Sequence, residues 1–179
     1  MKRKMIAGAA MLLAQGCAGL VEAPLTPATA TAERRAERVV VKSDADLGVI
    51  RMSGPVVSER NHDWLLRGLR RQGGGAWRYQ VYVEVYSHDW LFIESAWDDG
   101  RRLSMREIDS DVLRCSAGAF GRCVINETVG VSLSQRDFDE AVRRGIGFKL
   151  VGRRGSVFVY APAEYFRGIR AGMSRLAGG

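Results

Sequence analysis

Trp77-Arg78-Tyr79-Gln80-Val81-Tyr82-Val83-Glu84-Val85-Tyr86 decides the fold class. Trp77, Tyr79, Val81, Val83 and Val85 alternate with Arg78, Gln80, Tyr82, Glu84 and Tyr86, a period of two held over ten residues. Successive side chains of a strand point to opposite faces, so this stretch predicts a strand with one core face and one mixed face. Downstream, Trp90-Leu91-Phe92-Ile93 reads as the returning strand of a hairpin. Asp98-Asp99-Gly100 marks a tight turn, after which Leu103, Met105 and Ile108 alternate more loosely.

From Val112 to Leu133 the pattern is strand, glycine-bearing loop, strand. The second strand puts Cys123, Ile125, Glu127, Val129, Val131 and Leu133 on one face. Ser134 then starts a helix with Phe138, Ala141 and Val142 at helical spacing, closed by Arg143-Arg144-Gly145. A hairpin follows, Ile146 to Val151 and Ser156 to Tyr160, and Pro162 opens a last helix bearing Tyr165, Phe166, Ile169 and Met173. Upstream, Val39-Val40-Val41 and Val49-Ile50-Arg51-Met52 predict two short strands before the Gly54-Pro55 break. Asp63 reads as the cap of a helix carrying Trp64, Leu65, Leu66 and Leu69, ended by Arg70-Arg71 and Gly73-Gly74-Gly75. These elements amount to seven to nine strands and two to four short helices, with connections too short for repeated parallel crossovers. The expected fold is mainly β, α+β at the margin: an antiparallel β-sandwich or strongly curved sheet with one disulfide.

The N-terminus has a different logic. Met1-Lys2-Arg3-Lys4, an apolar run from Met5 to Ala14 and Gln15-Gly16-Cys17 form the three parts of an export signal. A ten-residue helix covers about half of a ~30 Å hydrocarbon core, so the run is not expected to remain as a membrane span. Leu13-Ala14-Gln15-Gly16-Cys17 resembles the lipobox of bacterial lipoproteins, in which a small residue precedes a cysteine that is acylated and becomes the new N-terminus. Gly16 and Cys17 match; Ala14 and Gln15 stand where the family usually has Leu and a smaller residue, which keeps open an ordinary secretory signal with an incidental Cys17. Ala18 follows the cysteine, and the resemblance then implies lipid anchoring in the outer membrane, facing the periplasm, with plain secretion to the periplasm as the alternative. The expected organisation is a signal peptide over 1–16, a lipidated cysteine and Pro-, Ala- and Thr-rich tether over 17–37, and one β-rich domain over 38–179.

Assigning Cys17 to lipid leaves Cys115 and Cys123 as an even pair in an oxidising compartment. A disulfide is expected, stabilising by about 2 to 3 kcal/mol for so short a loop. A redox or metal pair is the rival, but the spacing is not Cys-x-x-Cys and no His or Cys lies nearby in sequence to complete a zinc site. The net charge of +7 includes three positive charges in residues 1–16, leaving +4 after cleavage. Of 27 basic residues 23 are Arg, a bias read first as genome composition. No nucleic-acid partner is expected.

The order Cys115, Cys123, helix after Ser134, hairpin at Gly152 to Gly155, strand ending at Ala161-Pro162 and closing helix is similar to bacterial periplasmic proteins of the invasion-associated locus B type, over about residues 112–174. That resemblance implies an exported β-rich accessory factor with no established catalytic site.

Two constellations stand out for chemistry. Both histidines lie in the tetrapeptide His-Asp-Trp-Leu, at 62–65 and 88–91, so His62, His88, Asp63 and Asp89 form a conceivable metal or hydrolytic set. Asp at a helix start or a turn is the plainer account. Glu127 is the second: on the apolar face of its strand, an unpaired carboxylate would cost several kcal/mol. An ion pair with Arg101, Arg114 or Arg122, a β-bulge turning it outward, or a ligand-binding or acid role would each resolve the conflict. Gly73-Gly74-Gly75 lacks the Lys and Ser/Thr of a phosphate loop and no Gly-x-Ser-x-Gly occurs, so no cofactor is expected. Three functions compete. The first is a membrane-anchored lipoprotein that binds an envelope protein or serves envelope assembly. The second is a small hydrolase or metal-dependent enzyme using His62, His88, Asp63, Asp89 and Glu127. The third uses Arg101, Arg102, Arg143, Arg144, Arg153 and Arg154 to grip an anionic envelope polymer or lipid headgroups.

Overall fold

The computed structural model describes residues 38–116 and 122–177. The expected signal peptide over 1–16, the expected lipidation at Cys17 and tether over 17–37, and most of the loop between Cys115 and Cys123 lie outside the described residues. Eleven strands and two helices are formed: β1 (Val40–Asp44), β2 (Val49–Ser53), β3 (Val57–Ser58), β4 (His62–Arg71), β5 (Arg78–Ser87), β6 (Ile93–Asp98), β7 (Arg101–Leu103), β8 (Met105–Cys115), β9 (Cys123–Leu133), α1 (Gln135–Arg144), β10 (Ile146–Gly152), β11 (Gly155–Ala161) and α2 (Ala163–Ala177). They build two antiparallel sheets. The larger runs β1-β2-β4-β5-β9-β8 with β3 also on β4, and the smaller runs β11-β10-β6-β7. The mainly β, antiparallel, sandwich-like architecture is the expected one.

The alternation in β5 is realised as read: Tyr79, Val81, Val83 and Val85 are buried, and their neighbours are less so. The same face continues onto β9 through the pairs Val81 with Val131 and Val83 with Val129. In the smaller sheet a buried row runs Val157, Leu150, Ala96, Leu103 across all four strands. These faces share one core with the helices. Tyr79 stacks on Phe138 of α1 at 4.1 Å, and Trp64 meets Tyr165 of α2 edge-on at 4.7 Å. The Tyr165 hydroxyl also mends the sheet. Pro55 has no N–H, and the β4 edge is open between its pairings with β3 and β2. There the hydroxyl accepts from the Leu66 amide at 3.0 Å and donates to the Pro55 carbonyl at 2.9 Å.

Two expectations are corrected. Residues 62–71 are a strand, not a helix: Trp64 and Leu66 alternate inward while β4 pairs with β2, β3 and β5. Ladder bonding on both edges outweighs the local spacing of Leu65 and Leu69, which had suggested a helix. The triple glycine is therefore a hairpin connection, with all three residues at positive φ. Likewise Trp90 to Ile93 does not return along β5, both of whose edges are taken by β4 and β9; β6 starts at Ile93 and pairs with β10 and β7 in the other sheet.

Ser134 caps α1 as expected, through a reciprocal box: its hydroxyl accepts from the Asp137 amide, while Asp137 accepts from the Ser134 amide at 3.0 Å and hydroxyl at 2.7 Å. Arg101 reaches Asp137 at 2.9 Å from β7. Burial alone would raise the Asp137 pKa, but the Ser134 hydrogen bonds and Arg101 outweigh it and hold the group below its ordinary 3.8. A depressed folded-state pKa stabilises fully above the unfolded value and is lost as pH falls through the folded one. Asp137→Asn is therefore expected to cost about 1 kcal/mol at pH 7, with the gap to wild type closing as pH drops below 3.8. Denaturant unfolding of both proteins across that range checks this; an undiminished gap in acid would contradict the box.

Candidate functional site

Glu127 sits on the inward face of β9, only 7% exposed, opposite Val85 on one side and Ser110 on the other. The expected placement on the apolar face is correct, and the expected partners are not. Its Oε2 accepts from the Leu91 amide at 2.6 Å and its Oε1 from the Ile93 amide at 3.1 Å. Arg101 pairs instead with Asp98 and Asp137, and Arg114 and Arg122 make no ion pair among the described residues. The register irregularities lie on β8, at Glu107/Asp109 and Val112/Arg114, so no bulge turns Glu127 outward. The chain leaving β5 for the other sheet passes over Glu127 with amides that belong to neither ladder, and a carboxylate with two oxygens satisfies both.

That crossing is held from the other side too. The Leu91 and Phe92 carbonyls accept from the Arg154 and Arg153 amides at 3.1 and 3.3 Å. Phe92 has φ of 53°, a left-handed conformation that costs a bulky residue roughly 1–2 kcal/mol and persists only when its surroundings over-determine it. It brings the Leu91 and Ile93 amides to one carboxylate, as in backbone anion nests. The Arg153 guanidinium lies 4.5 Å over the Phe92 ring and pairs with Glu94 at 2.9 Å. Gly152 is required by contact: a Cβ there would overlap the Leu91 carbonyl oxygen.

Around this crossing the sheets part into a cleft of about 420 Å³. Trp90 and Phe92 form an aromatic wall, with ring centroids 6.3 Å apart. Glu94 and Arg153 stand on one side, and Glu107 and Ser110 of β8 on the other, where the Ser110 hydroxyl donates to Glu107 at 3.0 Å. With both Glu127 oxygens engaged by main-chain amides, the cleft offers apolar surface and peripheral charge, a set suited to recognition.

The histidines go elsewhere. His62 is buried on β4, its Nδ1 3.0 Å from the Asn61 side-chain oxygen and its Nε2 3.7 Å from Glu59. It shares an inward row with Val85 and Glu127, two ladder steps or about 10 Å from Glu127, with Val85 between them. His88 is exposed after β5, its Nδ1 3.0 Å from the Cys123 carbonyl oxygen. Asp63 points to the opposite face of β4, where the Tyr86 hydroxyl reaches it at 3.2 Å and Glu84 at 2.9 Å. Burial and those two carboxylates raise the Tyr86 pKa far above its ordinary value, so Tyr86 stays a donor. Asp89 is engaged through its carbonyl by the Ser87 hydroxyl at 2.6 Å. Among the described residues no three His, Cys, Asp or Glu side chains are arranged to hold a metal ion. Cys115 and Cys123 form the expected disulfide, facing each other across β8 and β9. Leu91 and Phe92 carry no site signal in the sequence, because their part is played by main-chain groups that no residue type announces, and Arg153 stands there only among the arginines of the anion-binding reading.

Glu127→Ala is expected to destabilise by about 2 to 4 kcal/mol, since two largely buried N–H groups lose their acceptor. Hydrogen exchange should show loss of protection at Leu91 and Ile93 first; unchanged protection there would rule the clamp out. Gly152→Ala should loosen the same two amides by displacing the Leu91 carbonyl. Compared with family models, with curated proteins and with solved structures, the chain finds no match.

Proposed function

We propose that this chain is a lipid-anchored envelope protein whose β domain faces the periplasm and binds an envelope protein, without catalysing a reaction. The observation that carries the binding half is the state of Glu127: the one carboxylate buried in the cleft has both oxygens committed to the Leu91 and Ile93 amides. A committed carboxylate shapes the site and leaves recognition to Trp90, Phe92 and the charges at the rim. The anchoring half is supported by the Gly16-Cys17 junction behind a short apolar run, and by an Ala-, Thr- and Pro-bearing stretch between Cys17 and the first described residue. Acyl chains contribute about 0.8 kcal/mol per buried CH₂, so several on one cysteine hold a domain without a membrane-spanning helix. No described helix is long and apolar enough to cross a membrane. The order of elements over about residues 112–174, read as a resemblance to invasion-associated locus B proteins though no family model matches, would imply the same kind of exported accessory role.

In a two-membrane bacterium the wild-type chain should incorporate labelled fatty acid and fractionate with the outer membrane, and Cys17→Ser should do neither. Membrane retention of Cys17→Ser would refute lipid anchoring. A photo-reactive side chain at Ser110 should cross-link one envelope protein, and Trp90→Ala should abolish that adduct; an adduct indifferent to Trp90 would refute the cleft as the binding site.

A further inference from the structure

A second and larger cleft, about 720 Å³, opens where the β1–β2 turn meets the β4–β5 connection. Arg70, Arg71 and Arg78 line it together with Leu69, Gly74 and Gly75, and no carboxylate is among its lining residues. None of the three arginines makes an ion pair among the described residues. Arg70 alternates to the opposite face of β4, where its guanidinium lies 4.9 Å over the Trp77 ring, so the side chains that charge the outer face are Arg71 and Arg78. The nearby Asp44 is already engaged by Arg51 at 3.3 Å and by the Leu47 amide at 3.1 Å. Gly73, Gly74 and Gly75 have φ of 83°, 121° and 106° and carry no side chains; the Gly74 amide turns back onto the Arg71 carbonyl at 3.4 Å, and the bare connection lets a ligand approach closely. The sheet extends the positive charge: Lys42, Arg51, Leu69 and Arg78 form one cross-strand row over β1, β2, β4 and β5.

We propose that this cleft binds a phosphate-bearing anion, gripped by the Arg71 and Arg78 guanidiniums, with Lys42 and Arg51 adding positive charge on the same face of the sheet. Planar guanidiniums match phosphate oxygens in pairs, and the absence of a carboxylate among the lining residues leaves the cations available to a ligand. The phosphate can come from a soluble molecule or from a lipid headgroup. The site does not depend on acylation of Cys17, so it is tested on the full-length Cys17→Ser chain, where no acyl chain contributes.

Calorimetric titration with inorganic pyrophosphate covers the soluble source, and co-sedimentation with phosphatidylcholine vesicles with and without phosphatidylglycerol covers the lipid source. Arg71→Gln/Arg78→Gln should weaken the observed binding about tenfold or more, and Arg71→Lys/Arg78→Lys should restore part of it. Both positions are exposed, and an unchanged thermal midpoint verifies that the variants fold. Arginine-dependent binding of pyrophosphate assigns a soluble phosphate, and arginine-dependent binding of phosphatidylglycerol vesicles alone assigns a headgroup. Failure of both ligands to bind, or binding indifferent to Arg71 and Arg78, overturns the proposal.

Discussion

A buried carboxylate receiving two main-chain amides is the joint on which this molecule turns. Any two-sheet protein must carry its chain from one sheet to the other, and the residues in transit have N–H and C=O groups that neither ladder can use. Here the transit is short, from Ser87 to Ile93, and it runs through the interior edge of the sandwich. Glu127 takes its two amides on the side of the larger sheet, and the β10–β11 turn donates to its two carbonyls on the side of the smaller one. A buried charge is costly when it stands alone, and charge-assisted bonds to both oxygens offset that cost. An arginine at this place would have neutralised the charge and left the amides unpaired.

The clamp also fixes what can surround it. The register His62 to Val85 to Glu127 to Ser110 sets Glu127 in a row of mixed polarity, beside the apolar row that Val83 and Val129 form further along the strands. From there Val129, Val131 and Leu133 continue inward toward α1, whose capping box and stacked Phe138 and Tyr79 close that end. The left-handed Phe92 is the local cost of the arrangement. It is exposed as a result, and with Trp90 it supplies the aromatic wall of the cleft. Fold constraint and cleft wall are two aspects of the same few residues.

The elements legible in the sequence were those whose pattern and partners are local or regular. The strands of β5 and β9, the Ser134 cap, the β10–β11 hairpin and the apolar face of α2 were all readable, because each depends on period, cap or turn chemistry within about a dozen residues. β4 was misread because Leu65, Leu66 and Leu69 fit a helical stripe as well as an alternating strand, and only strands distant in sequence decide between them. Gly68 in its middle, a poor helix former, was the available warning. The oddity of Glu127 was visible as a charge in an apolar alternation, yet its partners were not. Sequence displays side chains, and here the partners are peptide groups. The arginine cleft is hidden for a related reason, since Arg70-Arg71 before three glycines reads as a helix end and only the β4–β5 pairing brings Arg71 onto the face of Arg78.

The far end of β9 shows how the second histidine fits this scheme. β5 stops pairing at Ser87 opposite Ile125, while β9 runs back to Cys123, so the first residues of β9 have β8 on one edge and nothing from β5 on the other. His88 fills that place: its ring nitrogen meets the Cys123 carbonyl oxygen where the next ladder bond would have been. On the β8 side Val112 and Leu113 are exposed, so side-chain packing does little for the tip. A two-stranded ribbon without a packed face is marginal in water, and the Cys115–Cys123 bond supplies covalently what packing does not. The repeated His-Asp-Trp-Leu is thus used twice in different ways. At 62–65 it enters a central strand and buries its imidazole, and at 88–91 it leaves one, with the imidazole ending the ladder and the Leu91 amide beginning the clamp.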